Sequence, residues 1–224
     1  MTSYKIGIIG GTGPQGKGLA YRFAQAGHTV VLGSRSTERA ERTATEIVRR
    51  AGDAVSISGT DNATAAESAD VVLLAVPYNG HAALVESLRT RLAGKVVLSC
   101  VNPLGFDQRG PYGLNVAEGS AAEEAQRIVP EARLVGAFHH LSATSLWSGA
   151  GLLDHEDVLV CGDDSEAKTV AVELARTVTG RAGIDVGALR LARQLEPFTA
   201  VLIGVNKRYK VRSGIRIAGL GHEG

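Results

Sequence analysis

The sequence predicts an α/β fold, a doubly wound parallel sheet followed by a small C-terminal α/β extension. Three observations carry this. Short β-branched runs alternate with longer amphipathic stretches of crossover length. Several of those runs are apolar throughout, as in strands covered on both faces. A glycine-rich G-x-G-x-x-G stands between the first run and the first amphipathic stretch.

Taken in order, residues 4–10 form the expected first strand and 15–26 the first helix, which stops at Gly27. A second strand follows over 29–33, then a helix over 37–50 with Ser36 as its N-cap. A third strand is expected over 54–58 and a short helical turn over 62–68. Residues 71–76 and 95–100 are strands four and five, separated by a helix over 81–92. A helix over 121–129 leads to a sixth strand over 133–138. Beyond Leu141 the pattern loosens, then gives a run at 158–161, a helix at 166–178, a short run at 184–186 and a final helix at 189–205. These last elements either extend the sheet or form a small cap.

A chain of 224 residues buries a full core, as one large domain or one domain with an appendage. The expected division is a dinucleotide-binding domain over 1–150 and a smaller region over 151–224. With 44% hydrophobic residues, 21% charged and a formal net charge of +1, the chain is neither disordered nor a nucleic-acid coat. No apolar run approaches a membrane span. The N-terminus leads into a strand without the features of a signal peptide, so a cytoplasmic location is expected. Cys100 and Cys161 each close a Val/Leu-rich run and are expected to be small buried groups. No metal-ligand spacing is visible.

Gly11-Thr12-Gly13-Pro14-Gln15-Gly16 is the fingerprint of a Rossmann-type dinucleotide site. Gly11 permits the tight turn, Gly13 lets backbone approach a pyrophosphate, and Gly16 lets helix and strand pack closely. The helix start opened by Pro14 and Gln15 offers free N–H groups to phosphate. At the tip of the second strand, where a carboxylate would hold the ribose hydroxyls of NAD, the chain has Gly33-Ser34-Arg35. Ser34 can donate to a 2′-phosphate, Arg35 can pair with it or stack on adenine, Arg39 lies a turn further on, and Thr12 adds a hydroxyl. Together these predict NADP, although the same Ser-Arg-Ser-Thr segment also makes an ordinary helix start with solvated arginines.

Ligands of open α/β sheets lie beyond the carboxyl ends of the strands. There the chain places Pro77-Tyr78-Asn79, Val101-Asn102-Pro103-Leu104 and His139-His140-Leu141-Ser142-Ala143. An enzyme reducing a carbonyl or imine moves a proton with the hydride, and His139 and His140 are the candidates that topology supplies. A histidine at a strand end is more often a hydrogen-bonded structural group. His28, His81, His155 and His222 are expected in turns or exposed helix starts and are assigned no role on the sequence. Two functions remain open on the residues alone: an NADP-dependent reductase of a small imine or carbonyl, and a non-enzymatic NADP-sensing module.

The run from Ile8 through the fingerprint to Ala20, followed by Leu32-Gly33-Ser34-Arg35, resembles the reductases that exchange hydride between NADP and the deazaflavin coenzyme F420. The resemblance continues in Ala75-Val76-Pro77, Gly136-Ala137-Phe138-His139, Cys161-Gly162-Asp163-Asp164, and Asp185-Val186-Gly187-Ala188-Leu189 with Glu196 beyond. It implies a homodimer in which the deazaflavin lies in a cleft against the nicotinamide. It further implies 2′-phosphate contacts from Thr12, Ser34, Arg35 and Arg39, deazaflavin-side positions at His139 and Leu141, and positions near the nicotinamide at Pro77 and Ala143. On that view His139 orients the deazaflavin and shuttles no proton, because hydride passes directly between ring carbons. The chain departs from the family at His140, Ser142, Asn102-Pro103 and in its basic tail, where Lys207, Arg208, Lys210, Arg212 and Arg216 stand. Those cations either form a solvated helix end or attract the phosphate and glutamates of the deazaflavin side chain.

Overall fold

The computed structural model describes residues 2–148 and 151–220. Its centre is an eight-stranded sheet with the order β10-β9-β8-β5-β4-β1-β2-β3. Six of these strands, β1 (Lys5–Ile9), β2 (Thr29–Ser34), β3 (Ile57–Asp61), β4 (Val71–Leu74), β5 (Val96–Ser99) and β8 (Arg133–Gly136), run parallel, as the alternation predicts. Val71–Leu74 and Val96–Ser99 are buried at every position because helices cover both faces. One face carries α1 (Pro14–Gln25), α2 (Thr37–Ala51) and α8 (Ser165–Thr179), whose apolar residues pack with Ile6, Ile8, Leu73 and Leu98. The other carries α3 (Asn62–Ser68), α4 (His81–Ser87), α5 (Arg89–Leu92) and α6 (Ala121–Ile128), packed on Ile9, Val72, Leu74 and Val97. Ser36 caps α2 as expected, accepting a hydrogen bond from the Arg39 N–H at 3.2 Å.

The sheet departs from the expected all-parallel form at its far edge. β9 (Leu159–Gly162) pairs antiparallel with β8, and β10 (Ile184–Gly187) pairs parallel with β9. The short α7 (Ala143–Ser148) packs on α1 and does not carry the chain back across the sheet, so β9 re-enters from the carboxyl end of β8. The C-terminal elements therefore join the main sheet.

Other expectations shift locally. The third strand lies at Ile57–Asp61, not 54–58, because the register pairs Val30 with Ile57, and Gly59 lets the backbone of α2 pass against the strand. The helix expected over 81–92 is broken at Leu88, which has φ −104° and ψ 1°. A hairpin, β6 (Leu104–Asp107) with β7 (Gly110–Gly113), occupies a Gly/Pro-rich stretch in which no strand is expected. Its turn is closed by Asp107 Oδ1, which accepts from the N–H groups of Arg109 at 2.7 Å and Gly110 at 3.1 Å. The last helix, α9, begins at Ala192 after a 3-10 turn and runs to Tyr209. Cys100 and Cys161 are buried free thiols, both pushed up to about 12 by burial. Among the described residues no helix is long and apolar enough to cross a membrane. His222 lies outside the described residues.

Candidate functional site

The fingerprint turn separates two uses of glycine. Gly10 has φ +75°, making it the left-handed residue of the turn one position ahead of Gly11. A Cβ on Gly11 would lie 2.5 Å from Leu32 Cδ2, and one on Gly16 would lie 2.9 Å from Gly11 Cα and 3.0 Å from the Gly10 oxygen. Packing alone demands those two glycines. Gly13 is different: its Cβ would find only the Gly10 oxygen at 3.4 Å and the Ala75 oxygen at 4.0 Å, which is ordinary contact. The protein does not need that bareness for itself. Gly13 is also the N-cap of α1, without a capping side chain and with Pro14 at the first helical position. The helix start thus presents unclaimed N–H groups beside an open backbone face, which suits a pyrophosphate.

Asn62, which the sequence reading passes over, fastens this turn. Its Oδ1 accepts from the Gly10 N–H at 3.2 Å, and a Cβ on Gly33 would lie 2.8 Å from it. The Gly11 N–H donates to the Gly33 oxygen at 2.9 Å, bringing the tip of β2 against the fingerprint. Ser34 is buried and its Oγ accepts from the Ser36 N–H at 3.3 Å, whereas Arg35 and Arg39 are exposed. Thr12 is half-buried in the same turn. The register sets Asp61 of β3 opposite Ser34, but its carboxylate is engaged by the Thr64 N–H at 2.9 Å and the Thr64 hydroxyl at 2.7 Å. These hydrogen bonds hold it below the usual carboxylate range.

Past the carboxyl ends of β4 and β5 lies a cleft of about 820 Å³ whose walls include Pro77, Tyr78, Asn102, Leu104 and Phe106. On its α4–α6 side, Glu124 Oε2 lies 2.6 Å from His81 Nδ1 while Tyr78 donates its hydroxyl to Glu124 Oε1 at 3.2 Å. Burial and the neighbouring Glu124 push the Tyr78 phenol up to about 12. His81, expected at an exposed helix start, is instead fully buried, because α6 supplies a carboxylate partner from 43 residues away. His28 is buried as well, packed edge-on against Phe23 and accepting at Nδ1 from the Tyr4 N–H. His155 is exposed.

The end of β8 is drawn into the same region by main-chain oxygens. Gln15 donates its amide to the Phe138 oxygen at 3.1 Å. Asn102 Nδ2 and the Thr199 hydroxyl both donate to the His139 oxygen at 3.0 Å. Phe138 has φ +64°, a left-handed conformation that costs a phenylalanine about 1–3 kcal/mol and gathers at functional sites. The His139 ring folds over Gly136, whose Cβ would sit 3.1 Å from His139 Cε1, and neither ring nitrogen has a partner among the described residues. Burial, reinforced by His140, pushes this imidazole down to about 3, so it stays neutral at physiological pH. His140 Nε2 lies 2.8 Å from the Leu195 oxygen of α9, and burial lowers its pKa too. Leu141 is buried in the core, and Ala143 starts α7, its oxygen 3.4 Å from where a Cβ on Gly18 would lie. The structure thus joins the fingerprint, β2 tip, Asn102 and His139 backbone, while Leu141 and Ala143 stand behind them.

These features define a Rossmann-type dinucleotide-binding protein with a cleft beside the nucleotide loop. A family model described as NADP oxidoreductase coenzyme F420-dependent matches residues 5–103. The F420-dependent NADP reductase of Methanothermobacter thermautotrophicus is 41% identical over 96% of this chain and 95% of its own length. That of Methanocaldococcus jannaschii is 39% identical over 96% and 99%. A crystal structure from Arthrobacter sp. FB24, a candidate F420-dependent NADP reductase, superposes with a TM-score of 0.81 at 26% identity, covering 96% of this chain and 100% of that one. The chain belongs to the family of coenzyme F420-dependent NADP oxidoreductases.

Proposed function

We propose that the chain transfers hydride reversibly between NADP(H) and the deazaflavin coenzyme F420, working in the cytoplasm with its two cysteines reduced. The observation that carries the nucleotide half is the bare face of Gly13 on an uncapped helix start, beside a β2 tip with Ser34 and Arg35 and no carboxylate of its own. Gly11, Gly13, Gly16 and the N–H groups after Pro14 would hold the pyrophosphate, with Gln15 locking the loop to β8 through the Phe138 oxygen. Thr12, Ser34, Arg35 and Arg39 would take the 2′-phosphate. Pro77 and Ala143 would flank the nicotinamide, with His139 and Leu141 on the deazaflavin side.

Bound together, the two rings would supply the chemistry of direct hydride transfer between ring carbons, including delocalisation of the charge on the deazaflavin. The chain's part is to align and to exclude water. A neutral, buried His139 fits this, since it offers its backbone oxygen as an anchor for Asn102 and Thr199 and no proton at physiological pH. Residues 151–224 would complete the cleft and a homodimer interface. Supporting this, α9 is tied to the end of β8 by Thr199 and Leu195 and leaves Phe198 and Val201 exposed.

The test mixes protein, NADPH and oxidised deazaflavin and follows the deazaflavin absorbance. Bleaching of that band is expected. NADPH binding without bleaching would overturn the reading. Light scattering checks the dimer, for which twice 23.3 kDa is expected.

A further inference from the structure

A second concave surface lies between the hairpin tip and the last turns of α9, a groove of about 610 Å³. Its walls include Arg109 and Pro111 on the hairpin and Gly204, Lys207, Arg208 and Tyr209 on the helix, and among the described residues no carboxylate lines it. Asp107, the nearest acid in the hairpin, has Oδ1 committed to the backbone N–H groups of the turn. Two cations at a helix C-terminus are explained by the helix dipole. Arg109 is not, because it arrives from another element. Gly204 is the second signal. A glycine inside a helix costs about 1 kcal/mol relative to alanine, and a Cβ here would meet nothing within 4 Å among the described residues, so packing against them does not require it. Its absence deepens the groove.

The hairpin is a wall shared with the cleft: Leu104 and Phe106 line the cleft, and Arg109 and Pro111 line the groove. β6, which leads from Leu104 at the cleft toward the hairpin tip that carries Arg109, has four residues, roughly 13 Å at ~3.3 Å per residue. A ligand anchored by a flat ring in the cleft and carrying a flexible anionic arm of that reach fits both surfaces. Such a ligand is the deazaflavin coenzyme, whose ribityl chain continues into a phosphodiester and γ-linked glutamates. Resting on the hydride-transfer reading above, we infer that the groove formed by Arg109, Lys207 and Arg208 is the subsite for this anionic tail and sets preference for the tailed coenzyme over its neutral, tail-less form.

The test compares steady-state kinetics with the full coenzyme and with a deazaflavin ending at its ribityl alcohol, for the wild type and for the triple variant Arg109→Gln, Lys207→Gln, Arg208→Gln. The wild type is expected to show a KM about tenfold lower for the full coenzyme. In the triple variant that advantage disappears, while the KM values for the tail-less deazaflavin and for NADPH stay unchanged. Raising salt from about 50 mM to about 500 mM erases the same advantage in the wild type, because screening shortens the reach of the groove's charges. Equal KM values for the two deazaflavins in the wild type, or equal losses on both in the variant, would overturn the tail subsite and leave the hydride-transfer reading standing. Turnover with neither deazaflavin would overturn both.

Discussion

The end proposed for the nucleotide and the end proposed for the deazaflavin are held by different kinds of contact. At the nucleotide end the contacts are main chain on main chain or uncharged amide on main chain: the Gly11 N–H bonds the Gly33 oxygen, Gly16 rides against Gly11, and Asn62 Oδ1 accepts from the Gly10 N–H. At the other end, side chains reach between distant elements, as with Asn102 to the His139 oxygen, Glu124 to His81, and Glu196 of α9 to the N–H groups of Ala121 and Ala122 at 2.7 and 3.0 Å. The contacts that hold the fingerprint turn carry no titrating group, whereas the Glu196 contact does. Changes of pH across the neutral range therefore address the α9–α6 contact and leave the fingerprint turn alone.

Glu196 gives the largest expected difference. Burial pushes its carboxyl up to about 8, against the two amide hydrogen bonds that favour the anion. An unfolded glutamate titrates near ~4.3, so between there and about 8 the native state holds a proton that the unfolded state has lost. The resulting stability is complete at low pH, declines as pH rises through this window at up to about 1.4 kcal/mol per unit, and levels off above it. Melting curves from pH 5 to pH 9 should show this slope in the wild type and a flatter profile in Glu196→Gln. Parallel profiles would mean that the α9–α6 contact is pH-independent, like the fingerprint.

At the nucleotide end the expected effects are on affinity. Arg35→Ala removes the proposed charged partner of the 2′-phosphate and should weaken NADPH by roughly a hundredfold, with NADH nearly unaffected. Equal losses on both nucleotides would remove the phosphate assignment. The glycines supply a sharper contrast. Gly16→Ala forces a methyl to 2.9 Å from the Gly11 Cα, a backbone atom that cannot swing aside, and should destabilise the fold by about 1–3 kcal/mol. Gly13→Ala meets only ordinary contact, so melting should barely move while NADPH affinity falls. A Gly13→Ala protein that keeps its affinity would show that the bare face is not where the pyrophosphate lies.

The same division explains what the sequence makes legible. The six parallel strands and the fingerprint follow from local signals: apolar runs, crossover lengths, and glycines at fixed spacing. Ser36 as an N-cap is equally local. The hairpin at Leu104–Gly113 is hidden because Gly105, Gly110, Pro111 and Gly113 interrupt its Leu, Phe and Tyr residues so that the stretch reads as loop, and a local clue is Asp107 with Gly110 three positions on. The antiparallel entry of β9 depends on how α7 packs against α1, which no periodicity encodes. His81 looks exposed on its own helix and is buried only because Glu124 and the cleft wall enclose it. Asn62 holds the fingerprint turn from a helix whose sequence gives no sign of it. Where a contact joins residues far apart in the chain, composition at either end carries no mark of the partner.

His139 sets the smallest expected effect and the most direct test of what the deazaflavin end contributes. Its imidazole is buried with both nitrogens unpartnered among the described residues, and its pKa of about 3 leaves no protonated fraction to donate at neutral pH. What it gives the site through its backbone, the oxygen that receives Asn102 and Thr199, survives any substitution of the side chain. Replacing it by alanine should therefore lower turnover only a few-fold, less than about 1 kcal/mol in the barrier, through looser seating of the neighbouring ring. The profile of kcat against pH between 5 and 8 should keep its shape in the variant. Loss of all turnover with both cofactors still bound, or the disappearance of an inflection near neutrality, would make His139 a proton carrier and place side-chain acid–base chemistry at this end of the molecule.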